Sequence, residues 1–227
     1  RLSLVGSEMC IRDRYYSGYT FIETYLYDVD NQYPKTAQKV GKGAMYALSP
    51  SKGIVAHREA GDILHTYVQM KCDSEWIDSI DFANGEIATK TIAAEFEGWS
   101  PEVTALITEA DSSITPRKIN ALPDTHRWER QSGVTLIGDA AHLMAPSGEG
   151  ANLAMLDGAE LAELIAEHSN NFDKAIELYE AKMFPRSEAE AKESHELLDI
   201  CLGENSPQSL VDLFKSCLLY TSDAADE

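Results

Sequence analysis

Asp139, Gly148 and Gly150 are the residues whose types and spacing best suit chemistry; they stand in GVTLIGDAAHLMAPSGEGANLAMLDGAELAELIAE, residues 133–167. Asp139 follows a short apolar run and Gly138. A carboxylate there accepts hydrogen bonds from sugar hydroxyls, or it caps the loop behind it. Pro146, Ser147, Gly148, Glu149 and Gly150 make a loop, and Ala151 and Asn152 open the helical pattern that follows. Glycines ahead of a helix let backbone N–H groups approach an anionic or electron-rich ligand; they also permit a tight turn with no ligand at all. Asn152 equally suits a helix cap.

Other candidates are weaker. Ser147 lacks the G-x-S-x-G pattern of a nucleophile elbow, which excludes that hydrolase class. His142 reads as a proton donor or as a structural histidine packed under the loop. Cys72 and Cys201 have no CxxC spacing and read as thiols of a reducing compartment, so a cytoplasmic location is expected. The His, Asp and Glu residues show no metal-ligand spacing, and no metal is expected.

The elements that must position these residues follow from pattern. Val134–Ile137 reads as a buried strand of a parallel sheet. Ala151–Glu167 reads as a helix with Leu153, Leu156, Leu164 and Ile165 on one face. Ligands of open α/β folds bind where strands end and helices begin. Upstream, Tyr15–Tyr27 alternates as one long strand, with Phe21, Glu23 and Tyr25 on one face and Ile22, Thr24 and Leu26 on the other. Pro34–Val40 is a short segment, and Gly41-Lys42-Gly43 is a turn. Ala44–Leu48, Gly53–Arg58 and Ile63–Lys71 are strands separated by turn chemistry, which makes an antiparallel meander. Helical spacing follows at Trp76–Phe82, Ile87–Phe96 and Pro101–Ala110, and Ile114–Leu122 returns to the sheet. Phe172–Glu196 is a long helix in which Pro185 is a kink or a break.

The chain has 227 residues and a formal net charge of -19, from 19 Lys and Arg against 38 Asp and Glu. That excess argues against nucleic acid and against anionic membrane surfaces as partners. No apolar run approaches the ~20 residues of a membrane helix. The ends read differently from the rest. Leu4–Arg14 and Cys217–Glu227 back-translate, with permitted codons, into mutually complementary transposon-type adapter sequences. Residues 1–14 and 217–227 are therefore expected to be artefact, with a partial protein between them.

The stretch GDAAHLM, then Pro146, then Gly148-Glu149-Gly150-Ala151-Asn152 resembles the second flavin-binding motif of the aromatic-hydroxylase-like flavin monooxygenases, with a pattern like that of the tetracycline-inactivating members. The order of elements over residues 15–216 resembles that family as well. The resemblance implies FAD as cofactor, NADPH or NADH as co-substrate, and O2 and a small organic molecule, aromatic or polycyclic in class, as reactants. It assigns the flavin's sugar chain to Asp139 and the flavin edge to Pro146, Gly148, Glu149, Gly150, Ala151 and Asn152. It places substrate contacts at His65 and Glu23, with Gly43 where the tetracycline enzymes carry an Arg. An exposed strand residue is the other reading of His65. The loop Pro146-Ser147-Gly148 is shorter than in the tetracycline enzymes.

The implied fold is α/β, mixed α+β: a partial FAD-binding Rossmann-like domain plus an antiparallel β-sheet substrate domain and a C-terminal helix. Residues 15–125 are the expected substrate-binding domain, 126–168 the C-terminal part of the FAD-binding domain and 169–216 a C-terminal helical segment. The family's G-x-G-x-x-G fingerprint does not occur in the chain. A monomeric FAD-dependent monooxygenase is the leading expectation. A flavin-dependent reductase or dehydrogenase of the same fold, and a non-catalytic binding protein, are the alternatives.

Overall fold

The computed structural model describes residues 13–223, with side chains as far as Cys217. Of the adapter-like ends, residues 4–12 and 224–227 lie outside the described residues, and residues 217–223 continue a helix. The fold is mixed α/β, and the chain divides into two compact units: residues 18–118 with 199–227, and residues 1–17 with 119–198.

The first unit is built on a five-stranded sheet of order β2-β3-β4-β1-β5. The strands are β1 (Tyr15–Leu26), β2 (Ala44–Ser49), β3 (Lys52–Glu59), β4 (Ile63–Lys71) and β5 (Thr115–Ala121). The pairs β2·β3, β3·β4 and β4·β1 are antiparallel, as the alternating sequence requires. The β3–β4 turn is short because Gly61 and Asp62 both take positive φ, 84° and 59°. Asp62 is held there by Arg58, whose Nη1 donates to Asp62 Oδ1 at 2.7 Å.

One face of the sheet carries Ile22, Leu26, Ile54, Ala56, Leu64 and Val68, all buried. Five helices supply the other half of this core: α1 (Val29–Gln32), α2 (Pro34–Val40), α3 (Ser74–Ser79), α4 (Gly85–Ala94) and α5 (Pro101–Thr108). Val103, Leu106 and Ile107 of α5 point inward, as their spacing predicts. Each fully buried aliphatic chain contributes about 1.5–3 kcal/mol of transfer free energy.

The second unit carries α6 (Asp139–His142), α7 (Gly150–Glu167) and most of α8 (Phe172–Leu202), and α9 (Gln208–Asp223) follows α8 in the chain. Its small core joins Ala141, Leu164, Ala175, Tyr179 and Met183, with Trp128 and Leu136 packed against it. Pro185 neither ends nor splits α8, which runs unbroken over 31 residues. A proline removes one intrahelical donor, and buried Met183 and Ser187 hold the turns on either side of it.

Three expectations need correction. Val134–Ile137 is not a strand; only an isolated bridge joins Gln131 and Val134. A β-strand needs neighbours for its N–H and C=O groups, and none of the described strands flanks this run. It is not buried either, with Val134 53% and Ile137 44% exposed. On α7, Leu153 and Leu164 are buried, but Leu156 and Ile165 are exposed, so the apolar face is narrower than its spacing suggests. Among the described residues, no helix is long and apolar enough to cross a membrane.

Candidate functional site

Gly138 enters α6 at φ 59°, a conformation that favours glycine, and a Cβ there would lie 3.1 Å from the Cβ of Ala154 on α7. Asp157, one turn further along α7 and fully buried, fixes this corner. Its Oδ2 accepts from Gly138 N–H at 2.9 Å and sits 2.6 Å from His142 Nε2, while Oδ1 accepts from Arg186 Nη2 at 2.9 Å. Burial alone pushes the Asp157 carboxyl upward; the Gly138 N–H, His142 and Arg186 outweigh it and hold the group below the usual carboxylate range. Arg186 also binds Glu160 at 2.8 Å.

The clamp presents Asp139. Its side chain is exposed, and it makes no hydrogen bond to another described residue. It does not cap the following loop. Pro146, Gly148, Glu149, Ala151 and Asn152 are likewise exposed, and Gly148 takes φ 92°. Helix α7 begins at Gly150 without a side-chain cap and without an acidic residue in its first turn. The side chain at the cap position, Glu149, therefore leaves its first N–H groups untaken. Asn152 lies inside the helix and donates to Glu149 Oε2 at 3.0 Å, so it is not the cap. An exposed carboxylate, a positive-φ glycine and an uncapped 18-residue helix suit a ligand with hydroxyls and an electron-rich ring edge. These residues fit FAD. His142 is buried against Asp157, which is the structural reading of that residue. The sequence reading missed Asp157 and Arg186; their signal is a lone Asp within an otherwise apolar helical stripe.

A second polar group lies in the other unit, on the sheet face opposite the core. His65 on β4 is 7% exposed and is not the surface residue of the alternative reading. Its Nδ1 lies 3.0 Å from Glu59 Oε1 and its Nε2 lies 2.9 Å from Glu23 Oε1. Arg117 Nε donates to Glu23 Oε2 at 2.6 Å, and Tyr25 OH donates to Glu23 Oε1 at 3.1 Å. Burial pushes the Glu23 carboxyl up, but Arg117, Tyr25 and His65 outweigh it and hold it down. The Tyr25 phenol is pushed up to about 12, by burial first and then by Glu23. Tyr25, His65 and Tyr67 form a row of rings, with centroids 4.2 and 4.5 Å apart.

His57 joins this group. It pairs with His65 across the β3–β4 ladder, and its Nε2 lies 3.1 Å from Glu59 Oε1. The expectation of no metal-ligand clustering missed this: ligand atoms of His57, Glu59 and His65 all lie within 4.8 Å of one another. The signal was present, because a turn centred on Gly61 places residues 57 and 65 opposite each other. Gly43 heads into β2 and carries no side chain for this face.

Residues 86–194 match the family model described as FAD binding domain. It is similar to the monooxygenase penA of Penicillium thymicola, 24% identical over 247 residues, covering 88% of this chain and 57% of penA. Among solved structures it is similar to Klebsiella pneumoniae HpxO complexed with FAD and uric acid, with TM-score 0.66 and 19% identity over 90% of this chain and 49% of that one. It is also similar to the tetracycline destructase Tet(51), with TM-score 0.55 and 15% identity over 79% of this chain and 46% of that one. The chain is similar in sequence to monooxygenases and to an FAD-binding domain, and it shares the fold of these solved structures. It spans about half the length of these relatives.

Proposed function

We propose that this chain is part of an FAD-dependent monooxygenase that uses NADPH or NADH and O2 to hydroxylate a small organic substrate, aromatic or polycyclic in class. The observation that carries this reading is Asp139, exposed, with no side-chain bond among the described residues, and presented by the Asp157 clamp within the segment that matches the FAD-binding domain. Asp139 accepts hydrogen bonds from the flavin's sugar chain. Pro146, Gly148, Glu149, Gly150, Ala151 and Asn152 lie along the flavin edge, where the N–H groups that open α7 face an electron-rich ring. Bound FAD supplies the redox chemistry and the activation of oxygen.

Glu23 and His65 belong to the substrate-binding face. Both ring nitrogens of His65 are engaged, so it meets a substrate through its ring, beside Tyr25 and Tyr67. A planar aromatic substrate suits such a row. Residues 15–125 are assigned to substrate binding and 126–168 to the cofactor, in a cytoplasmic monomer.

Asp139→Ala should weaken FAD retention by roughly 1–3 kcal/mol, the range for a hydrogen bond to a charged group. Titration with FAD, followed by flavin fluorescence, measures this. An unchanged dissociation constant removes Asp139 from the cofactor site.

A further inference from the structure

We propose that His57, Glu59 and His65 form a binding site for a divalent transition-metal ion of the zinc class. This goes beyond the flavin reading; its ligands come from the β3–β4 hairpin and their support from β1 and β5.

The ligands come from one rigid element. His57 and Glu59 sit two residues apart on β3, so they share a face. His65 stands directly opposite His57 on β4. The two imidazoles converge on a single carboxylate oxygen, Glu59 Oε1, at 3.1 and 3.0 Å. Ligand atoms around a tetrahedral zinc ion, at about 2.0–2.1 Å from it, lie about 3.3 Å apart. The pairs through Glu59 are already near that spacing. Small rotations of the two rings complete the set.

The surroundings match what such a site needs. A metal-bound histidine almost always donates its other ring N–H to a carboxylate or carbonyl. His65 directs Nε2 at Glu23, and Glu23 is itself held by Arg117 and Tyr25. With Nε2 directed at Glu23, Nδ1 is the nitrogen that turns from Glu59 to the ion, losing its proton when the ion binds. Tyr25 and Tyr67 pack against the His65 ring and limit its rotation. The His57 and Glu59 side chains are 38% and 39% exposed, which gives the ion a path in.

Donor chemistry selects the ion. Two imidazoles and one carboxylate favour Zn2+, Co2+ or Ni2+ over Ca2+ and Mg2+, which prefer all-oxygen sets. Three protein ligands leave a tetrahedral position for water or for an oxygen donor on a small molecule. The same atoms could otherwise be tied by protons alone, as an ordinary network of ion pairs, and binding measurements separate the two.

The test uses the chain and its H57Q, E59Q and E23Q variants, stripped with chelator. ZnCl2 binding is followed by calorimetry and CoCl2 binding by visible absorption. His57 and Glu59 are half-exposed, so H57Q and E59Q retain the fold, and circular dichroism in chelator checks all three variants. We expect saturable binding of one ion per chain and the intense visible band of tetrahedral cobalt. H57Q and E59Q should each weaken binding at least about tenfold, and E23Q by about 10–100-fold through the lost support of His65. Absence of saturable binding overturns the proposal, as does H57Q and E59Q titrating like the parent chain. FAD titration of the same samples is unaffected by either outcome.

Discussion

Ile63–Lys71 and Val134–Ile137 are both rich in aliphatic and β-branched residues, yet only the first is a strand. The difference lies outside the runs. Ile63–Lys71 has β1 on one side and β3 on the other, so its backbone groups are paired and Leu64, Val68 and Met70 are buried. Val134–Ile137 has a single bridge and leaves Val134 and Ile137 exposed. A strand is a property of a ladder, and composition alone does not supply one.

What holds the second run is polar side chains. Thr135 Oγ1 and Trp128 Nε1 both donate to Glu180 Oε1, at 2.8 and 3.0 Å. Tyr179 OH donates to the carbonyl of Leu136 at 3.2 Å, and Asp157 takes the N–H of Gly138 at 2.9 Å. The sheet unit rests on ladder and apolar core. This segment rests on the packing of Leu136 and on single hydrogen bonds from α7 and α8, so each bond carries more of the local order.

The largest effect is therefore expected at Asp157. Asp157→Ala strands the Gly138 N–H and His142 and takes one of the two carboxylates of Arg186, which keeps Glu160; breaking a buried pair costs roughly 3–5 kcal/mol. Urea unfolding followed by tryptophan fluorescence measures it. A cost no larger than that of an exposed substitution would mean the corner is held by something else. Acid should act through the same group. The folded-state carboxyl is held below its ordinary range, so its stabilisation is present above the unfolded value of about 3.9 and is lost as pH falls through the folded one. Asp157→Asn should remove that acid-sensitive component.

Next in size is Ile22→Ala, in the sheet core. Ile22 is fully buried, and deleting its side chain leaves a cavity among Val68 and its neighbours. The expected cost is roughly 2–5 kcal/mol, read from the same unfolding experiment. A value near zero would mean this core collapses freely around the gap.

The sequence revealed these two regions unequally, and the reason is physical. Strand β4 was legible to the residue, and β1 to within one, because alternation reports one buried face directly. The Asp139 corner and the loop to Gly150 were legible because glycine and proline mark backbone requirements. Asp157 and Arg186 were not, because a buried charge gains meaning only from partners 15 to 29 residues away. His57 and His65 needed the register of a hairpin. Val134–Ile137 misled because its pattern records what the run suits, and pairing depends on what lies beside it.

The smallest effect sharpens the comparison most. Val134→Thr keeps the β-branch and the shape but replaces a methyl with a hydroxyl. In a buried strand that swap leaves a polar group in an apolar layer and costs on the order of 1–3 kcal/mol. Val134 is 53% exposed, so the new hydroxyl meets water and the cost should stay within about 0.5 kcal/mol. Ile137→Thr should behave alike, since Ile137 is 44% exposed. Made beside Ile22→Ala and read by the same unfolding curve, the pair compares one apolar run with a ladder against one without. A loss at Val134 or Ile137 as large as that at Ile22 would show the run to be packed as a strand, and the contrast between the two regions would fall with it.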